Sequence, residues 1–140
     1  DNDSNGKQYN APIKNIIYTL LNSYFNYFEF QSQNKTNLPS WLSDYVKVLS
    51  QPENLGKRIS DLYAIAPYSL SMLNTYFKKY FGKPLVAYVK ELRLEYAVKL
   101  LLHSTYPISM IANKISYTTT HFIHVFTEYY GMSPNSFRKT

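Results

Sequence analysis

Residues 68 to 82 read Tyr68-Ser-Leu-Ser-Met-Leu-Asn-Thr-Tyr-Phe-Lys-Lys-Tyr-Phe-Gly82. Within this stretch Leu70, Leu73 and Phe77 recur at the spacing that places side chains on one face of an α-helix. Ser69 can cap the first turn, because its hydroxyl accepts a hydrogen bond from a free backbone N–H. Gly82 suits the left-handed conformation in which many helices end. The pattern therefore predicts an amphipathic helix that begins after Ser69 and ends at Gly82.

A second face of this helix carries hydrogen-bonding groups. Ser71, Asn74, Thr75 and Lys78 follow the helical spacing and leave their polar groups for a partner. A short helix with a buried stripe, small polar side chains outside and lysines at its end fits a DNA major groove. Most amphipathic helices only cover a core, so this helix alone does not separate the two interpretations.

The chain repeats the same pattern 49 residues later. The shared positions are Ile59, Leu62, Tyr68, Leu73, Phe77 and Gly82 in the first copy and Ile108, Ile111, Tyr117, Phe122, Phe126 and Gly131 in the second. Each copy reads as a short helix, a turn, a second helix and a glycine stop, which is the pattern of a helix-turn-helix. Two copies are fewer than the three or so that a solenoid needs. We therefore predict two helix-turn-helix units, at about residues 57–82 and 107–131.

A long helix is predicted between the two units. Pro84 suits a helix start, and the run from Leu85 to Leu102 has an apolar side formed by Leu85, Val89, Leu92, Tyr96 and Leu100. Eighteen residues at roughly 1.5 Å each span about 27 Å. Such a helix can hold two reading helices near one turn of DNA apart, about 34 Å, on the same side of the duplex.

The predicted fold is all-α, with two helix-turn-helix units joined by a long linker helix. It has about seven helices, in addition to an N-terminal amphipathic helix. The first helix starts in Leu38-Pro-Ser-Trp41, with Ser40 as its cap, Asp44 in its first turn and Trp41 as its core anchor. The stretch from Pro52 to Gly56 ends it. The last short helix opens at Ser133-Pro134 and runs through Phe137.

A further amphipathic helix is predicted at residues 13–30, upstream of the repeated units. Its apolar face consists of Ile13, Ile16, Ile17, Leu20, Leu21, Tyr24, Phe25 and Phe28. Three places remain open for this face: packing on its own domain, a dimer interface, or the end of a missing sensor domain. Residues 1–10 form a polar tail and residues 31–37 a polar linker. Because the chain lacks a starting methionine, we expect a fragment, divided into residues 1–37 and a domain at 38–140.

The net charge of +6 is concentrated in one part of the chain. Before Trp41 three basic residues balance three acidic ones, which leaves twelve basic against six acidic residues in 41–140. An excess of this size on about 100 residues suits a polyanionic partner. Ordinary surface charge that keeps the protein soluble is the alternative.

Several classes of function have little support in the sequence. The chain has no cysteine, which removes disulfides and thiolate chemistry and suits a reducing cytoplasm. His121 and His124 lie one helical turn apart, but His103 belongs to another helix, so we interpret them as surface or DNA-facing residues and predict neither a metal nor a cofactor. No glycine-rich phosphate loop or nucleophile–histidine–aspartate set is present, so we expect no catalytic residues and no enzyme. No apolar run reaches the length of a membrane span.

Four strings of residues follow one another along the domain at 38–140: Leu73-x-x-x-Phe77-Lys-Lys-x-x-Gly82, Tyr88-x-x-x-Leu92-Arg-Leu94-x-x-Ala97-x-x-Leu100-Leu101, Ile108-x-x-Ile111-Ala112 and Gly131-Met-Ser-Pro134-x-x-Phe137-Arg138. Together they resemble the AraC/XylS family of bacterial transcription regulators. The resemblance implies a DNA-binding domain over roughly residues 41–140, with double-stranded DNA as partner, a cytoplasmic location and RNA polymerase as a further candidate partner. The stretch from Leu38 to Leu55 also resembles members with a cupin sensor, such as chitobiose-operon regulators, which implies control of sugar-utilisation genes.

The resemblance also implies which side chains contact DNA. The base-contact positions would be Ser71, Asn74 and Thr75 in the first unit and Thr119, Thr120 and His124 in the second. Thr75 and His124 stand where members often carry arginine, so DNA shape and phosphate contacts would carry more of the specificity. The turn before the second reading helix is one residue shorter than usual, and Ser116 replaces its usual glycine.

Basic side chains near the reading helices are candidate phosphate contacts: Lys78, Lys79, Lys83 and Arg93. Each has a solvated alternative, and Arg93 can instead pair with a nearby glutamate to hold the long helix. A second function also remains open. The chain can be a helical protein-interaction or dimerisation module, which would use the apolar face of residues 13–28 and a basic surface that meets an acidic partner.

Overall fold

A computed structural model of the protein describes residues 16–17, 19–22, 24–25 and 38–139. Between residues 38 and 139 the helices are α1 (Ser40–Leu49), α2 (Pro52–Leu55), α3 (Ile59–Ile65), α4 (Leu70–Phe81), α5 (Leu85–His103), α6 (Ile108–Lys114), α7 (Thr119–Tyr130) and α8 (Pro134–Lys139). The described residues contain no strand, and the predicted all-α fold is confirmed. This part of the chain has eight helices where we predicted seven, because Pro52 starts the separate short helix α2 instead of only ending α1.

The 49-residue repeat is present in the structure. Helices α3 and α6 each have 7 residues, and α4 and α7 each have 12. The N-cap side chains of Ser69 and Thr118 accept hydrogen bonds from backbone N–H groups three residues on, at 3.4 and 3.2 Å. Gly82 and Gly131 end the two helices in the left-handed conformation, with φ of 70° and 80°. The predicted Ser69 cap and the two glycine stops are therefore confirmed, and Thr118 is the corresponding cap of the second unit.

The turn of the second unit, residues 115–118, is as long as the turn of the first unit, residues 66–69. Helix α7 begins at Thr119, which lies 49 residues after the first residue of α4. Ser116, which stands where glycine is usual, has a φ of 64°. This conformation is rare for side chains other than glycine and asparagine, because Cβ comes close to the following carbonyl oxygen. The turn thus keeps the backbone of a glycine turn and carries strain at Ser116.

Two hydrophobic cores form, one for each unit, and α5 contributes to both. Its first turns supply Leu85, Tyr88 and Val89 to the core of the first unit. Its later turns supply Leu94, Ala97, Val98 and Leu101 to the core of the second. The predicted apolar side of α5 is confirmed, since Leu85 and Val89 are buried and Leu92, Tyr96 and Leu100 pack against the cores. The helix buries further residues as well, because its two ends pack against different neighbours. With 19 residues the helix spans about 28 Å.

Arg93 connects the two units near the middle of α5. Its side chain is 5% exposed, and its Nη2 donates a hydrogen bond of 2.6 Å to the Lys57 carbonyl oxygen in the first unit. The guanidinium also lies over the Tyr117 ring of the second unit, 5.3 Å from the ring centre. Gly56 approaches the second unit so closely that an added Cβ would lie 3.0 Å from the Lys114 carbonyl oxygen. The orientation of the units therefore depends on this contact as well as on α5.

Two helix ends differ from a simple sequence interpretation. Ser40 is the first residue of α1 and not its cap, because the Pro39 carbonyl oxygen accepts the first backbone hydrogen bonds of this helix. At the other end of the domain, the Arg138 guanidinium donates hydrogen bonds to the carbonyl oxygens of Leu101, Ser104 and Tyr106. A positive charge at these carbonyls also opposes the negative end of the α5 dipole.

The described residues of the predicted 13–30 helix are helical. Ile16 is 1% exposed and belongs to the second core, and Leu20 packs against that core. Ile17, Leu21 and Phe25 are instead 48%, 48% and 60% exposed. One edge of this helix therefore packs on its own domain. The rest of the helix, the tail at 1–10 and the linker at 31–37 lie outside the described residues. None of the helices in the described part of the chain is long and apolar enough to cross a membrane.

Candidate nucleic-acid interface

Helix α4 has a buried apolar face and a mostly polar exposed face. Leu70 and Met72 are also exposed, at 42% and 43%, so the predicted place of Leu70 in the buried stripe is wrong. Leu73 and Phe77 are fully buried in the first core. Ser71, Thr75, Lys78 and Lys79 are exposed on the other side of the helix. The two lysines lie in the last turn, where positive charge is favourable against the helix dipole. The arrangement gives a narrow polar surface that ends in two cations.

Aromatic rings hold α4 against the preceding helices. The Trp41 ring of α1 meets the edges of Tyr68 and Tyr76, with ring centres 4.6 and 5.0 Å apart. Tyr76 and Tyr80 stack within α4 at 6.2 Å with nearly parallel planes. Edge-to-face and stacked pairs each add roughly 0.5–1.5 kcal/mol beyond the area they bury. Trp41 therefore anchors the first helix in the core, as predicted, and it also limits rotation of α4.

Asn74 has a different function from the predicted base contact. Its side-chain Oδ1 accepts a hydrogen bond of 3.1 Å from the backbone N–H of Leu85, at the first turn of α5. Recognition of adenine by asparagine needs this same oxygen as an acceptor and the amide as a donor. In this structure Asn74 therefore cannot make the paired contact. It fixes α4 to the start of the linker helix.

The second unit shows why only the first needs such a bond. Ile123 lies 49 positions after Asn74, and Pro134 lies 49 positions after Leu85. Proline has no backbone N–H, so the start of α8 requires no acceptor at the position of Ile123. This difference between the copies is visible in the sequence, and comparison of the two units would have identified Asn74 as a cap.

Thr75 uses its hydroxyl proton within the helix. Its Oγ1 donates a 3.0 Å hydrogen bond to the Ser71 carbonyl oxygen one turn earlier. Thr127 on α7 does the same with Ile123, at 2.6 Å. The Thr75 hydroxyl can still accept a hydrogen bond, but its proton is not free for a base. Its methyl group becomes the more important part of the side chain for any contact in a groove.

Helix α7 presents the corresponding surface of the second unit. Phe122 and Phe126 are fully buried, whereas Thr120 and His124 are exposed and Thr119 is half-buried. The His124 Nε2 lies 3.6 Å from the Glu128 Oε2, and both side chains are about three-quarters exposed. The predicted base-contact residues Thr119, Thr120 and His124 thus lie within about one and a half turns of α7, and the Glu128 carboxylate lies near His124.

The basic residues separate into two groups. Lys78 and Lys79 are exposed on α4. The Lys83 Nζ instead forms an ion pair with Glu91 at 2.5 Å and is about one-third exposed. Arg93 is buried at the contact between the units, so the predicted phosphate contact at Arg93 is wrong: a phosphate cannot reach its guanidinium there. Lys78 and Lys79 remain the candidates with accessible and unneutralised charge.

The histidines do not complete a metal site within the described part of the chain. His121 contacts the Tyr117 ring edge to face, with ring centres 4.8 Å apart. No group of three histidine, aspartate or glutamate side chains that could hold a metal ion occurs among the described residues. We therefore interpret the histidines of α7 as hydrogen-bonding side chains of its outward surface.

Comparison with known proteins agrees with this geometry. Residues 62–140, more than half of the chain, match the family described as a helix-turn-helix domain. An uncharacterized HTH-type transcriptional regulator from Haemophilus influenzae is 30% identical over 96 residues, which form 68% of this chain and 32% of that protein. The chain thus spans about a third of the length of this relative.

Solved structures share the fold. The C-terminal domain of AraT, a response regulator from Geobacillus stearothermophilus, aligns with a TM-score of 0.63 at 24% identity and covers 74% of this chain and 88% of that one. A transcriptional regulator with an AraC-type DNA-binding domain from Chromobacterium violaceum aligns with a TM-score of 0.61 at 24% identity and covers 71% and 89%.

The chain belongs to the helix-turn-helix family of DNA-binding domains. The two units with their shared linker helix place it among the AraC-type domains of transcription regulators, and this is not a family of enzymes. The resemblance inferred from the sequence strings is confirmed at this level. The closer resemblance to regulators with a cupin sensor stays a prediction.

Proposed function

We propose that the chain binds double-stranded DNA in a sequence-specific way, with α4 and α7 in successive major grooves, as the DNA-binding part of a bacterial transcription regulator. The observation that carries this proposal is the duplicated reading helix. Two capped helices of 12 residues each bury one face and expose a polar one. A linker helix of about 28 Å and the Arg93 contact join them, which suits two grooves about 34 Å apart on one side of a duplex.

The proposed contacts follow the accessible side chains. Ser71 and Thr75 would face bases in the first groove, and Thr119, Thr120 and His124 in the second. These short side chains form fewer paired contacts than arginine does, so the deformability of the DNA would supply part of the specificity. Lys78 and Lys79 would contact phosphates. The equivalent positions on α7 are Thr127 and Glu128, so the first unit should dominate the salt dependence.

Fluorescence anisotropy with labelled duplex DNA over a range of salt concentrations tests this proposal. Each phosphate contact adds roughly −0.9 to the slope of log affinity against log salt. The double substitution Lys78→Gln and Lys79→Gln should make the slope about 1.8 units less steep. Lys99→Gln on α5 is the matched control, because this lysine is also exposed but lies on the linker helix. Loss of affinity without any change of slope would count against phosphate contacts at Lys78 and Lys79.

A second candidate function is self-association through the N-terminal helix. It is favoured by the exposure of Ile17, Leu21 and Phe25, which are large apolar side chains on neighbouring turns of this segment. Sedimentation velocity of the chain and of a Leu21→Glu variant would test it. A dimer that dissociates in the variant supports a dimer interface, and a monomer at all concentrations excludes it. The two functions are compatible, since a dimer can bind DNA.

Two narrower predictions stay open within this proposal. RNA polymerase is a candidate partner because transcription activators of this type act at promoters. Control of sugar-utilisation genes rests on the resemblance of residues 38–55 to regulators with a cupin sensor. Footprinting of the full-length regulator across its genome would identify the operators and the regulated genes together.

A further inference from the structure

A shallow hollow lies on the outward surface of α4. It is lined by Ser69, Ser71, Met72, Thr75, Tyr76 and Lys79. Because Ser71 and Thr75 are the proposed base-contact positions of this helix, the hollow lies where a base edge would approach.

One wall of the hollow is held in place. Tyr76 is half-buried and contacts three rings: the Trp41 ring at 5.0 Å, and the Tyr68 and Tyr80 rings, both at 6.2 Å. An aromatic ring held on three sides has few alternative positions. The Tyr76 ring therefore offers a preorganised apolar surface, and little conformational entropy of the protein is lost when a ligand group contacts it.

Met72 and Thr75 add apolar groups to the hollow, and Met72 lies one helical turn before Tyr76 on the same side of α4. Met72 is 43% exposed although it is a large apolar residue. The hydroxyl proton of Thr75 is bound to the Ser71 carbonyl oxygen, which leaves the methyl group of Thr75 for contacts outside the helix. The equivalent positions on α7 are the polar His121 and His124, so the second helix lacks the two apolar groups that Met72 and Thr75 supply.

We propose that this hollow binds the 5-methyl group of a thymine, which is contacted by Met72, the Thr75 methyl group and the edge of Tyr76. The inference rests on the proposed function, because it requires α4 in a major groove. The thymine methyl group is the only apolar group that a base pair presents there, and it is read by apolar contacts. Met72 then becomes a residue that determines specificity, and the first unit prefers thymine at one position.

Replacement of thymine by deoxyuridine tests the proposal, since it removes the 5-methyl group and leaves the hydrogen-bonding edges unchanged. Duplexes that bind the 140-residue chain are first selected from a random pool. Each thymine of a selected duplex is then replaced in turn, and affinity is measured by fluorescence anisotropy. Burial of one methyl group corresponds to about fourfold in affinity. We expect a loss of this size at one thymine of the site bound by the first unit.

Two variants assign the effect to the hollow. Met72→Ala removes most of the exposed apolar side chain of Met72, and Thr75→Ser removes only the methyl group while it keeps the hydroxyl. In each variant the same thymine-to-deoxyuridine change should cost less than twofold. Met110→Ala is the matched control, because Met110 is also 43% exposed but lies on α6, outside both reading helices. This control should keep the fourfold loss.

The outcomes separate this inference from the proposed function. DNA binding with an unchanged thymine-to-deoxyuridine ratio in Met72→Ala and Thr75→Ser would overturn the hollow as a methyl site and leave the proposed function intact. Selected duplexes without a thymine in that site would overturn it equally. Absence of sequence-specific binding to any duplex would overturn both. A loss at one thymine that disappears in both variants and persists in Met110→Ala would support it.

Discussion

Substitution of Asn74 by alanine should destabilise the fold without changing which bases the domain prefers. The Asn74 Oδ1 is the acceptor for the Leu85 N–H, and Leu85 is fully buried at the start of α5. Removal of the side chain leaves that N–H without its partner. Loss of such a helix cap costs about 1 kcal/mol, within a range of roughly 0.5–2 kcal/mol.

Urea unfolding followed by circular dichroism measures this loss. A slope of roughly 1–3 kcal/mol per molar urea is typical for small domains, so a loss of 1 kcal/mol lowers the midpoint by roughly 0.3–1 M. Asn74→Asp keeps an acceptor next to the positive end of the helix dipole and should retain the stability. It also adds a negative charge to α4, so its affinity for DNA should fall. This pair of variants separates the effect on folding from the effect on binding.

Two controls define the result that would refute this reasoning. Ser71→Ala changes an exposed side chain and should alter the free energy of unfolding by less than about 0.5 kcal/mol. Ile123→Asn places an asparagine at the equivalent position of the second unit, where Pro134 has no N–H to bind, and should bring no gain. The reasoning fails if Asn74→Ala leaves the unfolding free energy unchanged and alters the preference at a single base pair. Asn74 would then contact a base.

Three further predictions concern stability. Ser116→Gly should raise the free energy of unfolding by about 0.5–1 kcal/mol, since glycine adopts a φ of 64° without strain; a lower melting temperature would contradict this. Arg93→Lys should lower the free energy of unfolding by roughly 2 kcal/mol, because lysine cannot both bind the Lys57 carbonyl oxygen and stack on the Tyr117 ring. The slope of log affinity for DNA against log salt should stay unchanged in this variant. A less steep slope would indicate that Arg93 contacts a phosphate. Burial raises the pKa of Tyr45 to about 12, with a smaller effect of Tyr63, so the neutral phenol is favoured in the folded state. The stabilisation that follows from this raised pKa is complete below pH 10 and is lost as the pH rises from 10 to 12. In Tyr45→Phe the free energy of unfolding should therefore fall less over this range, as urea titrations at alkaline pH would show.

Much of the fold could be predicted because its signals are local. Apolar spacing depends only on side-chain type and helical period, so the stripe of Leu73 and Phe77 was predictable from the chain alone. Caps and glycine stops act within a few residues, and the Ser69 cap and both glycine stops were placed correctly. The 49-residue repeat then predicted the second unit at about residues 107–131. The boundary at Pro52 was missed because a single helical turn has too little periodicity to separate from a helix end.

The contact residues were harder to predict, because the competing partners of a side chain lie far away in sequence. Asn74 and Arg93 are both polar and both fall on plausible outward positions of a helix. Asn74 is bound to Leu85, eleven residues later, and Arg93 to Lys57, thirty-six residues earlier. Helical periodicity within one segment contains no information on such partners. Only the difference between the two repeats gave a signal, and it pointed to Asn74.

By itself the sequence determined the two helix-turn-helix units, the Ser69 cap, the glycine stops and the duplication, because these follow from residues within one or two turns of one another. It also determined the family, through strings that lie in those helices. The tertiary structure decided which faces of α5 are buried, how Arg93 joins the units, and which polar groups on α4 remain accessible. These properties depend on packing between segments that are distant in the chain. The polar side chains available to DNA are those that are not already bound to other segments of the protein.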